Sequence, residues 1–188
     1  MEVLILFWGI YFFLHSFMAG EAVKQKLAKA FRLSARAYRV VYNMFNLITI
    51  AFLLLFLIQT PSALFYRPNP LFTATGVLVS LAGSIVMFFS VKNYDLAAFF
   101  GFREETMMPL QIRGLNKYVR HPLYSGTIIL ALGFCIALPY TKNWVLFVLM
   151  VIYIFIGMQF EEKKLVQCYG NAYRSYQKKV KRLIPHVL

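Results

Sequence analysis

Five apolar runs, at residues 3–19, 39–59, 71–91, 122–138 and 143–160, account for half of the chain. Each lies near the roughly 20 residues that a helix needs to cross a hydrocarbon core, the first and fourth being the shortest. A composition that is 60% hydrophobic, only 14% charged and has a mean hydropathy of +0.63 lies outside the range of a soluble domain of 188 residues. Short alternating segments of about 10 residues, which build an outer-membrane barrel, are absent from the sequence. The expected fold is an all-α integral membrane protein with five transmembrane helices.

The basic residues give such a bundle a direction. Between the runs stand 6 Lys and Arg from Lys24 to Arg39, 1 at Arg67, 5 from Lys92 to Arg120, 1 at Lys142 and 7 from Lys163 to Arg182. Basic connections stay cytoplasmic, so the N-terminus is expected outside, the C-terminus inside, and the protein in a bacterial inner membrane. The first run follows Glu2, with no basic segment before it and no small-residue cleavage site, and is expected to remain as an anchor.

A net charge of +13 suits anionic headgroups, and no RNA- or DNA-reading motif accompanies it, so membrane lipids and not nucleic acid are the expected partners. Cys135 and Cys168 form no C-x-x-C pair, and neither a disulfide nor a structural metal site is expected. No linker or internal repeat divides residues 1–188, which are expected to form a single domain. The missing repeat also argues against a transporter, whose broken helices usually come in related pairs.

Two connections are too long to be simple turns. Residues 20–38 are basic, with Val23, Leu27, Ala30 and Phe31 at helical spacing, which predicts a helix lying on the cytoplasmic surface. Residues 92–120 lead into Arg120-His121-Pro122-Leu123-Tyr124-Ser125-Gly126, at the mouth of the fourth run. Long ordered connections in a small domain usually carry function, and ionisable groups at a membrane edge are costly unless they do. Pro139-Tyr-Thr-Lys142 makes a tight turn, so the fourth and fifth helices are expected to form a hairpin. His121 and Tyr124 would then lie close to Glu161 and Glu162.

Pro122 suits the first position of a helix, since its missing N–H would have no partner there. An anionic group could dock on the N–H groups that follow. Arg120 and His121 add donors, Gly114 and Gly126 allow close backbone approach, and Glu161 or Glu162 can accept from hydroxyls or an ammonium. The ligand this describes has a carboxylate, an amine, hydroxyls and an apolar body.

The string from Gly114 to Gly126 and the tail Glu161-Glu162-Lys-Lys-Leu165 through Tyr169-Gly170, Tyr173, Tyr176, Val180 and Arg182 to Pro185 together resemble the isoprenylcysteine carboxyl methyltransferase-like family of membrane methyltransferases. The matched core covers about residues 106–188. The resemblance implies S-adenosylmethionine as cofactor, in a cytoplasmic pocket of Met108, Pro109, Leu110, Gln111, Asn116, Arg120, His121, Pro122, Leu123, Tyr124 and Glu161. Asn116 stands where the family often has Tyr. Gly157 stands one helical turn before Glu161, where isoprenylcysteine enzymes carry an arginine for the substrate carboxylate.

His15-Ser16-Phe-Met-Ala19, Tyr38-Arg39-x-x-Tyr42-Asn43 and Asn93-Tyr94-Asp95 onward to Arg103 resemble the methanethiol methyltransferase and NnrU-like branch. That resemblance implies a small thiol or similar compact acceptor. S-adenosylmethionine carries an already activated methyl, so alignment and exclusion of water supply most of the catalysis. A thiol must still lose its proton, for which Asp95, His15 and Tyr94 are the candidate bases. Isoprenylcysteine carboxyl or phospholipid methylation, and a non-catalytic scaffold that keeps the fold, are the alternatives.

Overall fold

The computed structural model describes residues 1–92, 96–100, 102–103, 109–185 and 187. Its described secondary structure is helical, with isolated bridges at Leu64–Tyr140 and Val119–Lys181 and no strand among the described residues. The chain divides into two compact units, residues 1–62 with 95–107 and residues 63–94 with 108–188.

The first unit contains α1 (Glu2–Ala19), α2 (Glu21–Ala30), α3 (Ala35–Gln59) and the single turn α4 (Leu96–Phe99). Gly20 in extended conformation ends α1, and α2 follows at once as the short basic helix expected over residues 20–38. Ser34 caps α3, its hydroxyl accepting from the Ala37 N–H at 3.2 Å. α1 and α3 pack antiparallel: Phe7 lies against Phe56 at 5.3 Å between ring centres, while the Tyr38 hydroxyl donates to the Met18 carbonyl at 2.8 Å. Leu4, Trp8, Tyr11, Leu53 and Leu57 are buried in this unit.

The second unit contains α5 (Pro70–Val91), α6 (Pro122–Ala137), α7 (Thr141–Tyr169) and α8 (Asn171–Lys179), with a 3-10 turn at Gly114–Lys117. Asn69 caps α5 through a 2.9 Å bond from the Phe72 N–H, and Pro70 occupies its first turn. α5 and α6 meet almost backbone to backbone and run antiparallel. A Cβ on Gly76 would stand 2.6 Å from the Gly133 carbonyl oxygen, and one on Gly83 would stand 2.7 Å from that of Gly126. Two glycines seven residues apart lie on one face of each helix, and the close approach they permit is the packing that lipid-embedded helices use.

Among the described residues, α1, α3, α5 and α7 are long and apolar enough to cross a membrane. The expected fourth run forms α6, only 16 residues long, because Pro122 fixes its start and Leu138-Pro139 ends it. At 1.5 Å per residue this helix is about 24 Å long, against a core of about 30 Å. Large apolar side chains such as Ile58 and Leu71 are more than two-thirds exposed, an arrangement suited to lipid and not to water. The composition and these helices make the chain an integral membrane protein.

Candidate functional site

The approach to α6 is pinned to the C-terminal tail. Gly114 opens the 3-10 turn at φ 57°, a left-handed conformation that its missing Cβ permits. The Arg120 N–H then donates to the Lys181 carbonyl at 2.8 Å and the His121 N–H to that of Arg182 at 3.0 Å. Ser125, one turn into α6, donates its hydroxyl to the Leu183 carbonyl at 2.7 Å. Tyr176 on α8 donates to the Asn116 carbonyl at 2.5 Å, and the Asn116 amide reaches the Arg120 carbonyl at 3.3 Å. Backbone that would otherwise sit unpaired at a membrane edge is thereby satisfied.

α7 continues well past its apolar run and brings Glu161 and Glu162 beside this approach. Consecutive helical residues point about 100° apart, so the two acids do different things. Glu162 is buried, and four side chains share its oxygens. Oε1 accepts from Arg120 Nε at 2.7 Å and from His121 Nε2 at 3.3 Å. Oε2 accepts from Arg182 Nε at 3.2 Å and Gln177 Nε2 at 3.3 Å. The rest of the Arg120 guanidinium donates to the Gln177 and Val180 carbonyls. One carboxylate thus ties together α6, α7, α8 and the tail.

Glu161 is the outer acid, its side chain 38% exposed. It accepts from the Tyr124 hydroxyl at 2.9 Å, and His121 Nδ1 stands 3.7 Å from the same oxygen. The His121 and Tyr124 rings stack at 5.5 Å. The expected proximity of His121 and Tyr124 to the two glutamates is therefore present. His121 and Pro122 are buried, Leu123 and Tyr124 half-buried, and Pro122 begins α6 as its residue type predicts. Ahead of the turn, Pro109 is exposed and Leu110 and Gln111 are half-buried. Met108, Tyr94 and Asp95 lie outside the described residues.

Sequence reasoning missed the weight carried by Glu162 and the contribution of α8. Tyr173, Tyr176 and Val180 recur at helical spacing in the tail, a signal that α8 turns one face inward. Tyr173 is 1% exposed, and its hydroxyl has no hydrogen-bond partner among the described residues. Burial first, then the negative charge of Glu162 and Glu161, pushes this phenol above its ordinary range. An accessible carboxylate, stacked aromatic rings and an uncommitted buried hydroxyl form a donor set that fits a ligand with an ammonium and a flat ring. S-adenosylmethionine has both.

His15 lies in the first unit, on α1. The Asn46 amide nitrogen donates to the Tyr42 carbonyl at 2.7 Å, which turns Asn46 Oδ1 toward His15 Nδ1, also at 2.7 Å. The Tyr42 hydroxyl also stands 3.2 Å from His15 Nδ1, so this nitrogen is held between Asn46 and Tyr42. Tyr42 adds a hydrogen bond from its hydroxyl to the His15 carbonyl at 3.1 Å.

The family model described as NnrU protein matches residues 3–186. The chain belongs to the NnrU protein family. Among curated relatives, methanethiol S-methyltransferase 1 of Bradyrhizobium diazoefficiens is 29% identical over 96% of this chain and 65% of its own length. Methanethiol S-methyltransferase 2 of the same organism is 29% identical over 97% of this chain and 72% of its own. The methanethiol S-methyltransferase of Pseudomonas deceptionensis is 44% identical over a shorter stretch, 38% of this chain and 26% of its own. This NnrU family chain thus spans about two-thirds of the length of the Bradyrhizobium relatives. No solved structure matches it.

Proposed function

We propose that this chain is an S-adenosylmethionine-dependent membrane methyltransferase whose acceptor is a small thiol or a similarly compact molecule. The observation that carries the reading is the meeting of His121, Tyr124 and Glu161 at the start of α6 and the end of α7. Relatives named methanethiol S-methyltransferase support the chemistry. In this reading α6 is a short fifth span in a hairpin with α7, and its open end lies on the cytoplasmic side. The N-terminus is outside, the C-terminus is inside, and the membrane is the bacterial inner membrane.

The cofactor-binding set is Met108, Pro109, Leu110, Gln111, Asn116, His121, Pro122, Leu123, Tyr124 and Glu161. Arg120 belongs to it through its bonds to Glu162 and the tail, which hold His121 in position. When bound, S-adenosylmethionine supplies a methyl group activated by its own sulfonium. The residues of the chain contribute binding, orientation and exclusion of water: Glu161 takes an ammonium, and the His121 and Tyr124 rings line the site. A thiol acceptor also needs a base, for which the candidates are His15 and, outside the described residues, Tyr94 and Asp95.

Titration of the purified protein with S-adenosylhomocysteine tests the cofactor half, and transfer from methyl-labelled cofactor to methanethiol tests the acceptor half. Saturable binding with label in dimethyl sulfide is the expected result. Absence of any binding would return the protein to a non-catalytic scaffold. Binding with label only in prenylcysteine esters or phospholipid amines would reassign the acceptor.

A further inference from the structure

Tyr173 presents a feature that packing alone does not explain. Its side chain is buried, its ring packs edge-on against Tyr176 at 5.8 Å, and its hydroxyl bonds to nothing among the described residues. A phenylalanine would fill the same volume without the cost of an unpaired buried O–H. Neither neighbouring carboxylate accepts from that hydroxyl. Both oxygens of Glu162 are already shared among Arg120, His121, Arg182 and Gln177, and the Glu161 oxygen beside His121 accepts from Tyr124. Tyr173 nevertheless lies within electrostatic reach of both carboxylates.

A neutral phenol beside two acids offers its oxygen as an acceptor. The complement of an acceptor next to a carboxylate is a cation with several N–H donors. Cations already present in the cluster are occupied elsewhere: Arg120 by Glu162 and two carbonyls, Arg182 by Glu162. A primary ammonium from outside the protein meets the requirement, with one N–H for Glu161 and another for the phenol oxygen.

We propose that Tyr173 is a ligand-binding residue, its phenol oxygen and the Glu161 carboxylate together receiving the ammonium at the amino-acid end of the methyl donor. This assignment rests on the cofactor reading above. It makes α8 part of the binding site as well as a brace. It also gives the phenol oxygen, which bonds to nothing among the described residues, a donor that arrives with the ligand.

The test compares wild type, Tyr173→Phe and Tyr176→Phe in detergent, each by calorimetric titration with S-adenosylhomocysteine and by thermal unfolding without ligand. For Tyr173→Phe the expected outcome is a loss of affinity of about tenfold, the scale of one hydrogen bond to a charged group. Its ligand-free midpoint should equal or exceed that of wild type. Tyr176→Phe removes the bond to the Asn116 carbonyl and should lower the ligand-free midpoint, as a structural contact does. Competition with 5′-methylthioadenosine, which lacks the amino-acid end, should differ by less than about twofold between wild type and Tyr173→Phe. Where that competitor binds too weakly to read, the S-adenosylhomocysteine ratio and the midpoint decide. Unchanged affinity in Tyr173→Phe overturns the proposal, as does an affinity loss matched by a fall in the ligand-free midpoint. Failure of wild type itself to bind S-adenosylhomocysteine would instead remove the cofactor reading beneath it.

Discussion

Arg120 presents Nε and Nη2 to a single oxygen of Glu162, each at 2.7 Å, with the two side chains only 7% and 6% exposed. Two buried charges are costly to desolvate, and the pair is stable because the remaining lone pairs and protons are also used. Arg182, His121 and Gln177 complete the carboxylate, while the Gln177 and Val180 carbonyls complete the guanidinium. The pair closes the end of the second unit at which α6 begins.

Glu162→Gln should therefore be a stability mutation. Removing the anion leaves Arg120 buried without its counter-charge, at a cost on the order of 3 kcal/mol. A lower unfolding midpoint in detergent and faster proteolysis after Val180 are expected. A midpoint equal to that of wild type would mean that the cluster is dispensable.

Glu161→Gln should behave in the opposite way. Its carboxylate is more than a third exposed and its bond from Tyr124 can be kept by an amide oxygen, so folding should change little. Loss of a charge-assisted bond to a ligand ammonium should weaken S-adenosylhomocysteine binding by about 1–3 kcal/mol. The two variants measured side by side separate the binding acid from the bracing one. Equal effects on both properties would refute the division of roles.

How much of this was legible in the chain differs from one element to another. α1, α3 and α5 fall within a few residues of the apolar runs at 3–19, 39–59 and 71–91, because lipid-facing helices advertise themselves by hydropathy. α7 outruns its apolar segment at 143–160 by nine residues, since helix hydrogen bonding continues regardless of polarity until Gly170 breaks it at φ 54°. Hydropathy is blind to that extension, and to α8 beyond it. Pro122 announced the start of α6, and the motif around it announced the neighbourhood of His121, Tyr124 and the two acids. Which acid is buried was not legible, because adjacent residues share composition and differ only in the rotation of α7. The paired glycines of α5 and α6 were in plain view as two seven-residue spacings, yet only the packed helices show that they face each other.

That interface makes a direct prediction. A methyl group at Gly83 would collide with backbone of α6, which cannot yield as a side-chain tip can. Gly83→Ala should cost at least the ~1–3 kcal/mol typical of overpacking, read as a lower midpoint. Gly9 on α1 is the control, since a Cβ there meets nothing within 4 Å. Gly9→Ala should leave stability unchanged or slightly raised.

Orientation can be read from a native thiol. Cys168 is exposed near the end of α7 and Cys135 is buried in α6, so a membrane-impermeant maleimide reports on one position. With 18 of the 20 Lys and Arg in alternate connections, Cys168 is expected to face the cytoplasm. Labelling should occur in inside-out vesicles and not in intact spheroplasts. The reverse pattern would invert the topology and move the proposed site away from the cytoplasmic cofactor supply.

Acceptor choice turns on Gly157, one helical turn before Glu161. No Lys or Arg occurs from Asn143 through Glu162, so a carboxylate seated beside Gly157 would find no cation on that stretch of α7. An anion taken out of water without a partner is strongly disfavoured, whereas a small neutral thiol needs none. Wild type should therefore methylate methanethiol and turn over N-acetyl-farnesylcysteine poorly. A side chain built at Gly157 starts in open space, its Cβ more than 4 Å from any neighbour, so Gly157→Arg can be accommodated. That variant should gain methyl-ester formation on N-acetyl-farnesylcysteine relative to methanethiol, by about tenfold or more if the guanidinium forms a charge-assisted pair. Efficient ester formation by wild type, with no transfer to any small thiol, would show that a cation from elsewhere serves the carboxylate and that the acceptor is a prenylcysteine.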